Sequence, residues 1–294
     1  MAKTTKALPT RKKNSIKPAP RAMPSVWALT RNAAGLVWHN RVLFLGITSV
    51  YALLTIIFVG ITSNTDIAFL KQSFTTSSTI GAGLNVFLNL LGSSGNSSNA
   101  AEGAYQFILA IIASLAIIWA LRQVVAGSNI RIRDSFYKGM SALVPFVLVL
   151  LVVGIKLIPL LIGSAIYAQV MSNGIAVALF EKILWGIVFG ISAVISLYLV
   201  SSSIFALYIV TLPDMTPLKA LRSARDLVKG RRIILIRKVL FLPLLLFVMA
   251  AIIMLPFIIW MTSLAVAVFF IISMLVLLVV HSYFFTLYRE LINE

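Results

Sequence analysis

The chain has no cysteine, only two histidines and only eight acidic residues among its 294. Each shortage removes a class of chemistry. Without cysteine there are no disulfides and no thiolate metal sites. His39 and His281 stand far apart in the sequence, so no histidine-based metal cluster and no nucleophile–base constellation is visible. The carboxylates form no paired motif inside an apolar stretch, and a phosphate-binding glycine-rich loop is missing. These gaps point away from an enzyme and away from any bound cofactor.

What the chain has in excess is apolar residues, 60% of the total, against 11% charged. No soluble domain needs that much, so the expected fold is all-α, a polytopic membrane helix bundle. Six stretches of about 20 apolar residues run near 42–62, 104–121, 142–166, 183–211, 239–260 and 264–286. The fourth is too long to stand upright and is expected to tilt or to continue beyond the bilayer. Only Met261, Thr262 and Ser263 separate the last two, which predicts a tight helical hairpin.

Residues 1–24 read as a disordered basic tail and residues 25–294 as one six-span membrane domain. The tail carries Lys3, Lys6, Arg11, Lys12, Lys13, Lys17 and Arg21 with no apolar periodicity, which suits attraction to anionic lipid. Nucleic acid is disfavoured as a partner, since no aromatic residue is interleaved with that charge. The first apolar run starts only near Val42 and is too long for a signal-peptide core, so it reads as an uncleaved span. Of the 25 basic residues, 22 fall on one side of this topology, and only Lys71, Lys156 and Lys182 fall on the other. The asymmetry predicts a cell-membrane protein with both termini cytoplasmic.

The most charged stretch runs from Pro213 to Lys238. Thr216 can cap a helix and Pro217 suits its first position. A turn of about 100° per residue puts Ala220, Leu221, Ala224, Leu227 and Val228 on one arc. Lys219, Arg222, Arg225, Asp226 and Lys229 fall opposite, and Gly230 is a plausible stop. An amphipathic helix lying on the cytoplasmic surface is expected, its apolar arc toward acyl chains. Lys219, Arg222, Arg225, Lys229, Arg231 and Arg232 are therefore the candidate contacts for anionic lipid or a partner protein. A merely solvated charged helix is the competing reading.

Similar segments recur. A shift of 191 carries Leu29, Ala33, Leu36, Val37 and Arg41 onto Ala220, Ala224, Leu227, Val228 and Arg232. A shift of 91 carries Ile130, Phe136, Tyr137, Lys138 and Gly139 onto Leu221, Leu227, Val228, Lys229 and Gly230. The suggested unit is an interfacial helix, a span out and a span back, used three times as helix-hairpin repeats. Convergence of three similar helix starts would give the same pattern.

Few ionisable residues fall inside the spans, and each is a functional candidate because charge in lipid is costly. Lys156 is expected in the outer half of the third span, within reach of Glu181 at the head of the fourth. The simpler reading has Lys156 snorkelling outward and Glu181 in water. His281 reads as an interfacial hydrogen-bonding residue. Gly186 and Gly190 form a small-xxx-small pair suited to close helix approach, and Pro145, Pro159, Pro243 and Pro256 are placed to break or kink their spans. Residues 63–103 form the one long external loop, with a surface-helix candidate from Ile80 to Leu91.

The segment PDMTPLKALRSARDLVKGRR at 213–232 and the ending YFFTLYREL at 283–291 resemble bacterial six-span membrane proteins. These are the membrane-domain family named for its fusion to glycerophosphoryl diester phosphodiesterases and the related YciC-like group. The resemblance covers the last third and elsewhere only the span count. It implies a six-span bundle, carries over no catalytic residue, and does not bring phosphodiesterase activity, since the soluble domain has no counterpart here. Two functions follow as expectations. The first is a non-enzymatic integral membrane protein engaging lipid or partners through its basic cytoplasmic helices. The alternative is a transporter or channel for a small or lipidic solute, its path lined by kinked spans and Lys156. The first is preferred, because Ser201, Ser202 and Ser203 are nearly the only polar lining.

Overall fold

The computed structural model describes residues 25–60, 100–128 and 130–293, and every regular element among them is helical. In chain order these are α1 (Val26–His39), α2 (Arg41–Phe58), α3 (Ala100–Val125), α4 (Ile132–Gly139), α5 (Leu143–Ser172) and α6 (Leu179–Ser201). They are followed by α7 (Ala206–Ile209), α8 (Pro217–Val228), α9 (Arg232–Trp260) and α10 (Thr262–Asn293), and a 3-10 turn at Met140–Ala142 joins α4 to α5. Six of them, α2, α3, α5, α6, α9 and α10, are long and apolar enough to cross a membrane. The 1–24 tail and the loop expected at 63–103, up to residue 99, lie outside the described residues.

The spans match the six apolar stretches in number, but several run longer. α9 starts at Arg232 and α10 reaches Asn293. A helix satisfies its own backbone in water as well as in lipid, so charged residues need not end it. The fourth stretch is resolved by a break. α6 stops at Ser201, and α7 resumes at Ala206. The hydroxyls of Ser201 and Ser202 donate to the carbonyls of Tyr198 and Leu199, both at 2.8 Å. Such back-bonding competes with main-chain donors and bends or ends a helix.

α3 occupies the middle, packed against α2, α4, α5 and α10. Ala113 to Ile118, Ala120 and Leu121 are all buried, so this span meets protein on nearly every side. Its small residues let neighbours approach. Gly139 of α4 lies where an added Cβ would sit 3.1 Å from the carbonyl oxygen of Leu115. At the far tip only Met261 separates α9 from α10, and Ala250, Met254 and Ile258 close on Ala265 and Val266. The expected hairpin is present with a shorter link.

The prolines do not break their spans: α5 continues through Pro159, and α9 through Pro243 and Pro256. Beside Pro159 the N–H of Leu160 turns across to Ser196 Oγ of α6, at 2.9 Å. The close approach between α5 and α6 is at Gly163, whose added Cβ would lie 2.7 Å from Ser192 Cβ, whereas Gly186 and Gly190 have open space around them. The small pair picked out from spacing is therefore not where these helices meet.

Among the described residues, α7 set aside, a short helix precedes two long ones in three places. At a shift of 191 the correspondence of the first and third occurrences is residue by residue. Ser25 and Thr216 each cap through the side-chain oxygen, α1 and α8 start at Val26 and Pro217, and α2 and α9 start at Arg41 and Arg232. Leu29, Ala33, Phe44, Ile47 and Tyr51 are buried, and so are Ala220, Ala224, Leu235, Lys238 and Leu242. For the middle occurrence burial matches at 89 rather than 91: Ser135, Phe146, Val149 and Val153 fall on Ala224, Leu235, Lys238 and Leu242. The Lys-Gly match at 91 joins two glycines with different work. Gly139 is helical with φ −61° and is chosen for closeness to α3, whereas Gly230 has φ +85° and makes a left-handed turn.

Candidate functional site

The charged stretch of the sequence forms α8 and the turn after it. Thr216 Oγ1 accepts from Lys219 N at 3.4 Å and Pro217 opens the helix, as their chemistry requires. Ala220, Ala224 and Val228 are fully buried. They face α7 and α5 and belong to the main core, so the arc expected against acyl chains is seated on protein instead. The reason is size. Alanines at Ala220 and Ala224 give a smooth face on which the bundle can close tightly, which lipid would not require. Lys219, Arg222, Arg225, Asp226 and Lys229 are left exposed on the other side. After Lys229, whose backbone is extended, Gly230 reverses the chain and Arg232 begins α9.

Arg232 is half-buried. Its Nη1 donates to the phenol oxygen of Tyr198 on α6, and its guanidinium lies over the Tyr198 ring, with Cζ 4.8 Å from the centroid. Next to it, Lys156 of α5 donates through Nζ to the hydroxyl of Ser203, a residue only 1% exposed. Arg225 and Arg232 are close enough for their charges to act on Lys156. Two cations, from α5 and α9, thus meet two hydroxyls, from the turn beyond α6 and from α6, with Arg225 of α8 within electrostatic range of Lys156.

Lys156 and Glu181 are not brought together. α5 is 30 residues long, so Lys156 stands close to its midpoint rather than in its outer half, and its amine turns toward Ser203 at the basic end. Glu181 Oε2 accepts from the N–H groups of Val177 (2.9 Å) and Ala178 (3.1 Å), which caps the opposite end of α6. Arg231 is half-buried in the α8–α9 turn. Among the described residues no group of three His, Asp or Glu converges to hold a metal ion.

A second network holds the same end of the bundle closed. Arg122, at the end of α3, donates to the carbonyls of Thr211 (2.6 Å) and Tyr208 (3.1 Å) and to Thr211 Oγ1 (2.6 Å). Tyr208 is buried and shares a 3.1 Å hydrogen bond with His281 Nδ1. Ser282 donates to Ala33 O at 3.0 Å and Tyr283 to Lys238 O at 3.0 Å. His281 is thus a buried hydrogen-bonding residue. Tyr198 and Arg122 are the residues that reading along the chain missed, and Ser203 was named only as polar lining. The run Ser201–Ser203 was a visible polar signal, but Tyr198 and Arg122 look ordinary until their partners 34 and 89 positions away are known.

Comparison with protein-family models, curated proteins and solved structures returned no match. The site therefore has to be read from its own chemistry.

Proposed function

We propose that this integral membrane protein is non-enzymatic and works by engaging anionic lipid at the cytoplasmic face of a cell membrane, through the basic surface of α8 and the α8–α9 turn. The observation that carries the reading is the seating of α8. Its apolar face is used up on protein, so Lys219, Arg222 and Arg225 are held outward on a fixed support rather than on a free helix. A cation near an anionic surface gains about 1 kcal/mol, and a rigid row of them adds without a cost of ordering. The cytoplasmic assignment rests on the placement of 22 of the 25 basic residues on one side. The relationship to the six-span family with the glycerophosphoryl diester phosphodiesterase fusion is proposed on residues 213–232 and 283–291. A triplication of the short–long–long unit is proposed on the burial common to the three occurrences and the caps shared by the first and third.

The test compares wild type with Lys219→Glu/Arg222→Glu/Lys229→Glu, released from nanodiscs of mixed neutral and anionic phospholipid and weighed by native mass spectrometry. Wild type should retain several anionic lipids, and the variant markedly fewer, with an unchanged helical spectrum. Equal retention by the two would end this reading. In that case crosslinking would be the way to ask whether the same surface binds a protein.

A further inference from the structure

The geometry points to one discrete site for a phosphate-bearing headgroup, formed by Lys156, Arg225 and Arg232 with the hydroxyls of Ser203 and Tyr198. It rests on the lipid-engaging reading above and shares Arg225 with the α8 surface, but its other groups stand on α5, α6, α9 and the turn after α6.

Arg225 and Arg232, both of its own sign, are within electrostatic range of Lys156. Lys156 and Arg232 donate to neutral hydroxyls, which satisfy a hydrogen and leave the charge unopposed. Asp226 follows Arg225 in the chain and is exposed as Arg225 is, but lies about 100° further round α8. Lys156 and Arg232 are half-buried and Arg225 is exposed beside them; the like charges repel one another, and an anion between them turns that repulsion into attraction. A phosphate group fits such a set: its oxygens accept from a guanidinium fork, from an ammonium and from hydroxyls.

The surroundings say where the phosphate comes from. Tyr198 is 49% exposed, and Val194 and Ile195, one turn away on α6, are exposed at 67% and 47%. Ile155, beside Lys156, and Ile233, beside Arg232, are exposed as well. The cations therefore open sideways onto an apolar belt. A soluble phosphate gains nothing from that belt, but a phospholipid lays its acyl chains along it while the headgroup reaches the cations. The shared chemistry is a phosphate ester, and lipid is the favoured source.

The experiment uses the full chain in neutral phosphatidylcholine nanodiscs, with two probes. One is a small fraction of phosphatidylglycerol or phosphatidic acid, and the other is inorganic phosphate or glycerol 3-phosphate in the buffer. Native mass spectrometry should show one anionic lipid retained per chain at low lipid fraction. That single lipid should survive Lys219→Glu/Arg222→Glu/Lys229→Glu, but Lys156→Gln/Arg232→Gln should lower its occupancy about ten-fold or more, two charge-assisted hydrogen bonds being lost. Tyr198→Phe keeps the ring and removes one donor, so it should give a smaller loss in a chain certain to be assembled, and Lys156→Arg should restore binding relative to Lys156→Gln. An adduct of soluble phosphate equal to the lipid adduct would assign the site to a free anion and overturn the lipid assignment. Unchanged occupancy in both Lys156→Gln/Arg232→Gln and Tyr198→Phe, or no anionic adduct in wild type, would overturn the site. Loss of the extra lipids in the α8 variant alongside unchanged occupancy in the site variants would leave the broader reading standing, whereas no anionic adduct in wild type would overturn both.

Discussion

α3 and α6 are about equally apolar by mean hydropathy, yet 56% of the spanning window of α3 is buried inside the protein and only 6% of that of α6. What separates them is how many of their faces other helices cover. Along its packed faces α3 carries Ala113, Ser114, Ala116 and Ala120, all buried. α6 presents Ile183, Ile187, Ile191, Val194 and Ile195 outward. Hydropathy reports that a helix suits lipid; small residues permit another helix to lie against it, as at Ala116 of α3, without requiring one, as Gly186 and Gly190 of α6 show. The basic cluster stands at the border between these two regimes, where the lipid-facing α5–α6 pair meets α8 and α9.

The comparison is broken most sharply by matched truncations. Ile118→Ala in α3 removes a fully buried side chain and should cost about 2–4 kcal/mol. Ile187→Ala in α6, where the residue is 54% exposed, should cost under about 0.5 kcal/mol. Denaturant titration of both variants in mild detergent or lipid measures the difference directly, and equal costs would mean that the α6 face is packed against something.

Arg122→Gln probes the network that ties α3 to the segment after α7. Three acceptors lose a charged donor, and the expected cost is about 2–3 kcal/mol. The loosening should appear first as faster hydrogen exchange in residues 206–216, ahead of the spans.

Much of this architecture is legible along the chain. Six apolar runs give six spans, because lipid permits few other solutions for a backbone. The Thr216-Pro217 start of α8 is legible because capping is local chemistry. The break at Ser202 is harder, since its apolar flanks conceal a few hydroxyls bonding backward. Which arc of α8 meets lipid was not legible at all. Ala220 and Ala224 are apolar enough for either environment, and only the tertiary fit places them on protein. The site is similar: Lys156 and Arg232 draw notice by charge alone, but their convergence depends on helix packing, which periodicity does not encode.

The smallest expected effects come from the glycines, and they sharpen the comparison most finely. At Gly163 a methyl group would stand 2.7 Å from Ser192 Cβ and 2.8 Å from its Oγ. Ser192 cannot swing its own Cβ away, so α5 and α6 must part, at a cost of about 1–3 kcal/mol. Adding Ser192→Gly to Gly163→Ala should return most of that loss, which a general defect in folding would not allow. At Gly190 an added methyl group has nothing within 4 Å. Gly190→Ala should therefore be neutral or stabilise by up to about 1 kcal/mol, from lower backbone entropy in the unfolded chain and better helix propensity. Equilibrium unfolding of the single and paired variants decides the point. If Gly190→Ala proves as damaging as Gly163→Ala, the outer face of α6 meets a second protein surface in the native membrane, and its bulky isoleucines are interface residues rather than lipid contacts.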